Sequence, residues 1–397
     1  MKTFTLLFQL AAVLLLLLAP SFTSAHVPMA IAEDAELEER EEGLTWADVD
    51  IDIDETGIED LHVIEFNTTS RKVLAKEEVE ELIRQGVSFV DVTQHEDLRA
   101  TAAPATPRIP SSPSRQSLVN SFLPQLSTRN IEATISRLSS YYTRYYTTSS
   151  GESAARYLYE RFRAYARAHS EGRAEVELFR HSWRQPSVIA RIRGSGSAAN
   201  EVVIVGAHED SVSSPRTSRA PGADDDASGI ATILELFRIL TSENYTPERT
   251  LEFHCYAAEE AGLRGSQAIA ASYQSRRVVV AGMMQLDMTS YRRSGTTASI
   301  ALVQDNVHSG LTNFVKQLVR SYARIPYTTT TCGYGCSDHA SWTRAGYAAV
   351  FPFESSMSRL NPNIHSSRDT LARLDLDHGL EFARVAMGFL VELSFDN

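Results

Sequence analysis

Cysteine is scarce: three residues in a chain of 397, too few for a disulfide-built scaffold. A surplus of positive charge is missing too. The formal net charge is −12, which excludes nucleic acid as the main partner, because phosphate binding needs a basic surface. A membrane-spanning run is also lacking. The leucine-rich stretch Leu6–Leu18 is short for a span of about 20 residues, and no basic stop-transfer cluster follows it. No internal repeat is present. What is there is ordinary: 43% hydrophobic and 22% charged residues, the composition of a globular chain that buries a real core. The length suits one large domain plus a smaller segment.

Lys2, the apolar run Leu6–Leu18 and the small residues Thr23-Ser24-Ala25 give residues 1–25 the layout of a secretory signal peptide, so the protein is expected outside the cell. The acidity then concentrates in residues 26–100, which carry 22 Asp and Glu against 6 Lys and Arg, a net of −16; residues 101–397 come to +3. The stretch Glu33–Asp60 reads as disordered or solvated. From Arg71 to Val92 more order is expected: Val73, Leu74, Val79, Leu82 and Ile83 recur at helical spacing, and Val87–Val92 is strand-like. Residues 101–118 form a linker in which Pro104, Pro107, Pro110 and Pro113 forbid a helix and proteases find access. The organisation expected is a signal peptide (1–25), an acidic propeptide (26–100), a linker (101–118) and a catalytic domain (119–397). A permanent acidic tail is the alternative.

Past the linker, strands and helices alternate. Helices are expected over Ile131–Tyr146, Ser153–Ala168, Gly229–Leu240, Arg264–Tyr273, Leu311–Tyr322 and Leu376–Leu393. Strands are expected over Glu175–Phe179, Val188–Ile192, Val202–Val205, Leu251–Tyr256, Val278–Leu286, Ser299–Val303 and Ala348–Phe353. The fold class is α/β: a mixed, mainly parallel central sheet with helices on both faces. In such folds ligands sit beyond the carboxyl ends of the strands.

At those ends stand His208-Glu209-Asp210, Glu259-Glu260 and Asp287-Met288-Thr289, with Asp224-Asp225-Asp226 before a helix and His365 late in the chain. Four carboxylates in one cleft would repel by about 4 kcal/mol per pair at a separation of about 4 Å and an effective dielectric of about 20. Either some are protonated or cations neutralise them. Two histidines among carboxylates, with no thiolate near, suit zinc, with cobalt and manganese as weaker alternatives. Two divalent ions leave one carboxylate over as a general base, the requirement of metal-assisted hydrolysis. Taken singly, each piece has a plainer reading: the aspartate run as a helix cap, Glu259-Glu260 as a solvated helix start, His365 as a surface histidine.

The segments GAHEDSV (206–212), PGADDDASG (221–229), YAAEEAGLRGSQ (256–267), QLDMT (285–289), CGYGCSDHASW (332–342) and NPNIHSSRDTL (361–371) resemble the secreted leucine aminopeptidases with a co-catalytic zinc pair. The resemblance covers about residues 120–397, and the acidic segment resembles the propeptide of their precursors. It implies two zinc ions per chain. Asp225 would bridge both, His208 and Asp287 would complete one, and Glu260 and His365 the other. Glu259 would be the general base, Asp210 would orient His208, and Tyr334 would hydrogen-bond the reacting centre. A pocket for the first side chain would be built from Met288, Phe351, Phe353, Met357, Leu360 and Ile364; for Phe351 and Phe353 the plainer reading is ordinary core. The partners implied are peptides with a free N-terminus, preferably leucine or another large apolar residue, and the chain's own propeptide as inhibitor, with no nucleic acid, no membrane and a monomeric enzyme.

By the same resemblance Cys332 and Cys336 form a small disulfide loop, a Cys-x-x-x-Cys metal site being the alternative, while Cys255 reads as a buried free thiol. Asn67 and Asn244 head N-x-T sequons that could carry glycans. Two rivals share the architecture. A glutaminyl-cyclase-like transferase uses one zinc, against which the complete two-ion ligand set speaks. A catalytically dead binding module would be expected to lack ligands or the base.

Overall fold

The computed structural model describes residues 61–67, 69–99 and 102–396. The expected signal peptide and the stretch Glu33–Asp60 lie outside these residues. The sheet that carries the site has six strands in the spatial order Ala349–Val350, Val279–Gln285, Glu201–His208, Thr250–Tyr256, Ser187–Ile192, Ala174–Phe179. The first four run parallel, and Ser187–Ile192 is antiparallel to both of its neighbours, which is the mixed, mainly parallel sheet expected. Side chains alternate between its faces. Val203, Val205 and Ala207 enter one core cluster with the helices Ala227–Ser242 and Leu376–Leu393. Val202 and Ile204 enter another with the helix Arg264–Ser275. The helix Ala227–Ser242 is buried almost all round, as expected of one packed between sheet and helices. Among the described residues, no helix is long and apolar enough to cross a membrane.

Register explains why the chemistry gathers. His208 pairs with Tyr256, and Gly206 with Gln285. Three parallel strands therefore end together, and the residues just past them (Asp210, Glu259 and Glu260, Asp287) emerge at one edge.

Several boundaries differ from expectation. The helix expected over Ile131–Tyr146 spans Thr128–Leu138. The Tyr- and Thr-rich run that follows is poor in helix formers, and Arg144 is drawn into tertiary contacts described below. The strand expected over Ala348–Phe353 divides into Ala349–Val350 in the large sheet and Pro352–Phe353 in a smaller one beside Ile300–Val303. Pro352 has no N–H to donate and sits on that sheet's edge strand.

The N-terminal segment is a three-stranded antiparallel sheet, Ser70–Ala75, Leu61–Asn67, Val90–Asp91, with the helix Lys76–Arg84. Here Val73 and Leu74 are strand, paired with Val63 and His62, not helix as their spacing suggests. The helix starts only at Lys76, where the Glu78 carboxylate accepts the Ala75 N–H at 2.9 Å. Of Val87–Val92, only Val90 and Asp91 join the ladder. Ile64, Val79, Ile83 and Phe89 pack on Tyr145, Val212, Ala258 and Ala261 of the large domain. Residues 102–115 contain no helix, as the prolines require, but the last three residues of the expected linker begin the helix Gln116–Phe122.

Candidate metal centre and active site

His208 closes its strand fully buried. Its Nε2 lies 3.0 Å from Asp225 Oδ1 and 3.6 Å from Asp287 Oδ1. His365 Nε2 lies 3.2 Å from Asp225 Oδ2 and 2.9 Å from Glu260 Oε2. The two oxygens of Asp225 thus face different histidines, and the five residues form two clusters sharing one carboxylate.

These clusters are held by backbone and side-chain hydrogen bonds. Asp210 accepts the N–H groups of Glu259 at 3.0 Å and Glu260 at 3.2 Å, and its Oδ1 lies 3.5 Å from His208 Nδ1. One carboxylate therefore ties two strand ends together. The backbone leaves its strands through left-handed residues, Ala258 (φ 57°) before Glu259 and Met288 (φ 55°) after Asp287, and His365 itself has φ 52°. Such non-glycine conformations persist where surroundings impose them, and functional sites collect them.

The electrostatics are severe. Burial disfavours an imidazolium at either histidine, yet carboxylates overcome it, Asp287 and Glu259 at His208 and Glu260 and Asp225 at His365, so both are held well above the ordinary histidine range. Burial would raise Asp225, but the bonds from His208 and His365 bring it below the carboxylate range. Burial pushes Glu259 well above it, His208 opposing and Asp338, Asp287 and Glu260 adding. A potential negative enough to hold protons on both imidazoles favours divalent cations. The donors fit: Asp287 Oδ1 is buried without a hydrogen-bond partner, while its Oδ2 accepts from Ser337 Oγ at 2.6 Å. Two groups of side chains are spaced to hold an ion: Asp225 with Glu260 and His365, and His208 with Asp287 and Asp226. Asp226 is the poorer candidate of the last three. Its oxygens accept N–H groups from His208, Gly229 and Met288, which makes it the cap of the helix Ala227–Ser242.

A cavity of about 480 Å³ opens onto this cluster and is lined by Asp225, Glu259, Glu260, Asp287, Tyr334 and His365. All six expected pocket residues, Met288, Phe351, Phe353, Met357, Leu360 and Ile364, line it as well. Phe351 and Phe353 are also core, 1% and 3% exposed, so both readings of them hold. Burial pushes the Tyr334 hydroxyl up to about 12, against a hydrogen bond with Ser88. Cys332 and Cys336 are joined in a disulfide, and Cys255 is buried and free. Asn67 and Asn244 are exposed.

Sequence reasoning missed three supports. Asp369 accepts the N–H groups of Asp224 and Asp225; its position four residues past His365 was a signal, without a role attached. Arg144, fully buried, donates to the carbonyls of Glu209, Leu138, Pro221 and Gly222, and nothing local in a tyrosine-rich run announces that clamp. Ser337, on Asp287, was equally silent.

The profile of peptidase family M28 matches residues 187–390. Leucine aminopeptidase 1 of Trichophyton rubrum is 41% identical over 346 residues, 84% of this chain and 92% of that protein. Leucine aminopeptidase 1 of Ajellomyces capsulatus is 40% identical over 355 residues, 85% and 91% of the two chains. Among solved structures, the LapA aminopeptidase of Legionella pneumophila superposes with a TM-score of 0.75 at 28% identity, covering 85% of this chain and 99% of its own. A glutaminyl cyclase of Porphyromonas gingivalis, at 15% identity and a TM-score of 0.55, shares the fold alone. With the profile spanning every strand that delivers the site, and relatives matching the chain over most of both lengths, this chain belongs to peptidase family M28 as a zinc-dependent aminopeptidase.

Proposed function

We propose that the chain is a secreted aminopeptidase working with two zinc ions, which releases N-terminal leucine or another large apolar residue and is made as a precursor covered by its acidic segment. The observation that carries the two-ion reading is Asp225, whose oxygens face His208 on one side and His365 on the other, at 3.0 and 3.2 Å. Asp225 would bridge the ions, with His208 and Asp287 holding one and Glu260 and His365 the other. The zinc pair, when bound, supplies Lewis acidity to the scissile carbonyl and a docking point for the free α-amino group. Glu259 takes the proton of the attacking water and hands it to the leaving amine. Tyr334 donates to the reacting carbonyl oxygen. Asp210 fixes His208 and the backbone of Glu259, so base and ligand share one anchor. The apolar wall from Met288 to Ile364 receives the first side chain.

The reading is tested by metal analysis of the processed chain beside hydrolysis of leucyl-p-nitroanilide. About two zinc per chain, with activity lost on chelation and restored by zinc, is the expected result. One zinc per fully active chain would sink the two-ion reading.

The proposed latency is supported by the position of the N-terminal segment. Ile83, Gly86, Val87, Ser88 and Phe89 line the same cavity as the ligands. A tethered segment has an effective concentration of about 1 mM, so a dissociation constant of about 10 μM for the free segment leaves roughly one chain in a hundred open. Cleavage is proposed between residues 102 and 108. Beyond these, Ile109 packs on the core, and Glu392 holds the N–H groups of Ser114 and Arg115 at 2.8 and 2.9 Å. Cleavage there is expected to raise kcat/KM on leucyl-p-nitroanilide about a hundredfold; equal activity before and after would refute the cover. Exposed Asn67 and Asn244 are proposed as glycan acceptors.

A further inference from the structure

From Ser88 at the cavity to Asp91 the N-terminal segment runs N-to-C away from the site, the chain sense of a peptide held there by its free N-terminus. Ser88 and Tyr334 line the cavity together. Three residues on, the Asp91 N–H donates to the Gly262 carbonyl at 3.1 Å, and the Asp91 carbonyl accepts from Gln267 Nε2 at 2.8 Å. Gln267 is fully buried and its Nε2 also reaches the Gly262 carbonyl at 3.0 Å. Both backbone groups of one residue are thus read by the large domain, through contacts that no side chain of that residue makes. Gly262, at φ +94°, is what allows the approach. A Cβ there would stand 2.5 Å from Asp91 N.

A second cavity, about 450 Å³, lies past this point between the segment, at Glu65, Val90 and Arg99, and the large domain, at Gln267, Tyr334 and Arg344. Arg344 donates to both oxygens of Glu65, at 2.6 and 3.2 Å. Its side chain is 6% exposed, and its Nε is buried with no partner. Glu65 is the cross-strand neighbour of Val90, so its carboxylate is carried one strand away from the path that the backbone follows at Gly262. Departure of the segment takes away Glu65 together with the chain that covers Arg344, leaving an uncovered guanidinium without the carboxylate it faces and open to another in the same two-pronged geometry.

We propose that, once the N-terminal segment is gone, this groove binds the downstream part of a peptide substrate. Gly262 O and Gln267 Nε2 hold its backbone, and Arg344 selects a carboxylate, on a side chain or at the C-terminus, lying beside it. The inference rests on the aminopeptidase reading above and adds a substrate class to it: peptides with an acidic group several residues from the cleaved bond.

The test uses the processed, zinc-loaded enzyme and pentapeptides Leu-Gly-Gly-Gly-Gly amidated at the C-terminus, with Glu or Lys replacing one glycine at a time. Hydrolysis of leucyl-p-nitroanilide, which offers no residue downstream, reports the aminopeptidase reading separately. At one position kcat/KM for the Glu peptide is expected to exceed that for the Lys peptide about tenfold. Arg344→Met should bring that ratio close to one, and Arg344→Lys should restore part of it. A ratio near one at every position in the wild type, or one that survives Arg344→Met, overturns the proposal. If Arg344→Met does not fold, the wild-type ratio decides. It should shrink severalfold between about 0.05 and about 0.5 M salt, as screening requires, and a salt-independent ratio would overturn the proposal.

Discussion

Replacing Glu259 by glutamine is expected to lower kcat by about 10²–10⁴-fold, the span of a positioned general base, while the bound zinc stays where it is. Glutamine keeps the shape of the side chain but cannot accept the proton of the attacking water. The backbone is not at risk, because Asp210 holds the residue through its N–H at 3.0 Å, a contact independent of the side chain. Glu259 lines the cavity next to the ligand clusters without being one of the side chains spaced to hold an ion. KM should therefore change little beside kcat. Metal analysis and steady-state kinetics on the same preparation separate the outcomes: loss of zinc with the activity would make Glu259 a ligand, and unchanged kcat would remove it from the chemistry.

Asp225→Ala should do the opposite, abolishing activity through the metal. Two divalent ions at about 4 Å repel by an amount on the order of 17 kcal/mol at an effective dielectric of about 20. A shared carboxylate between them offsets part of that repulsion. Without it, zinc content is expected to fall to one ion or fewer. The gain in stability on adding zinc, about 4 kcal/mol at a thousandfold excess over the dissociation constant, should shrink accordingly; thermal unfolding with and without zinc measures it. Asp226→Ala is the control. Its oxygens serve the N–H groups of His208, Gly229 and Met288, so the variant should unfold more easily but still respond to zinc. If Asp226→Ala loses the zinc response and Asp225→Ala keeps it, the bridging role belongs to the neighbour.

Much of the fold was legible because its signals are local. Apolar runs such as Val202–Val205 and Leu251–Tyr256 need only their own composition to read as buried strands, and they are strands with ends shifted by a residue or a few. The misreadings fall where a distant partner decides. Val73 and Leu74 obey helical spacing, but the strand Leu61–Asn67 offers them a ladder. Tyr141–Tyr146 follows a helix and extends it by pattern alone, but Arg144 leaves it to bind four carbonyls from three separate stretches of chain.

The same division runs through the site. Sequence by itself determined which side chains were available for chemistry, because histidines and carboxylates directly after apolar strands are placed by strand length and direction. Tertiary structure alone decided their partnerships. That Asp225 faces two histidines while Asp226 caps a helix depends on register between strands and on a turn held by Asp369. That Asp91 and Glu65 lie along the exit of the cavity depends on how an acidic segment seats on the domain. Composition measured the charge of that segment, but charge has no direction, and only packing could say which of its residues meet the site.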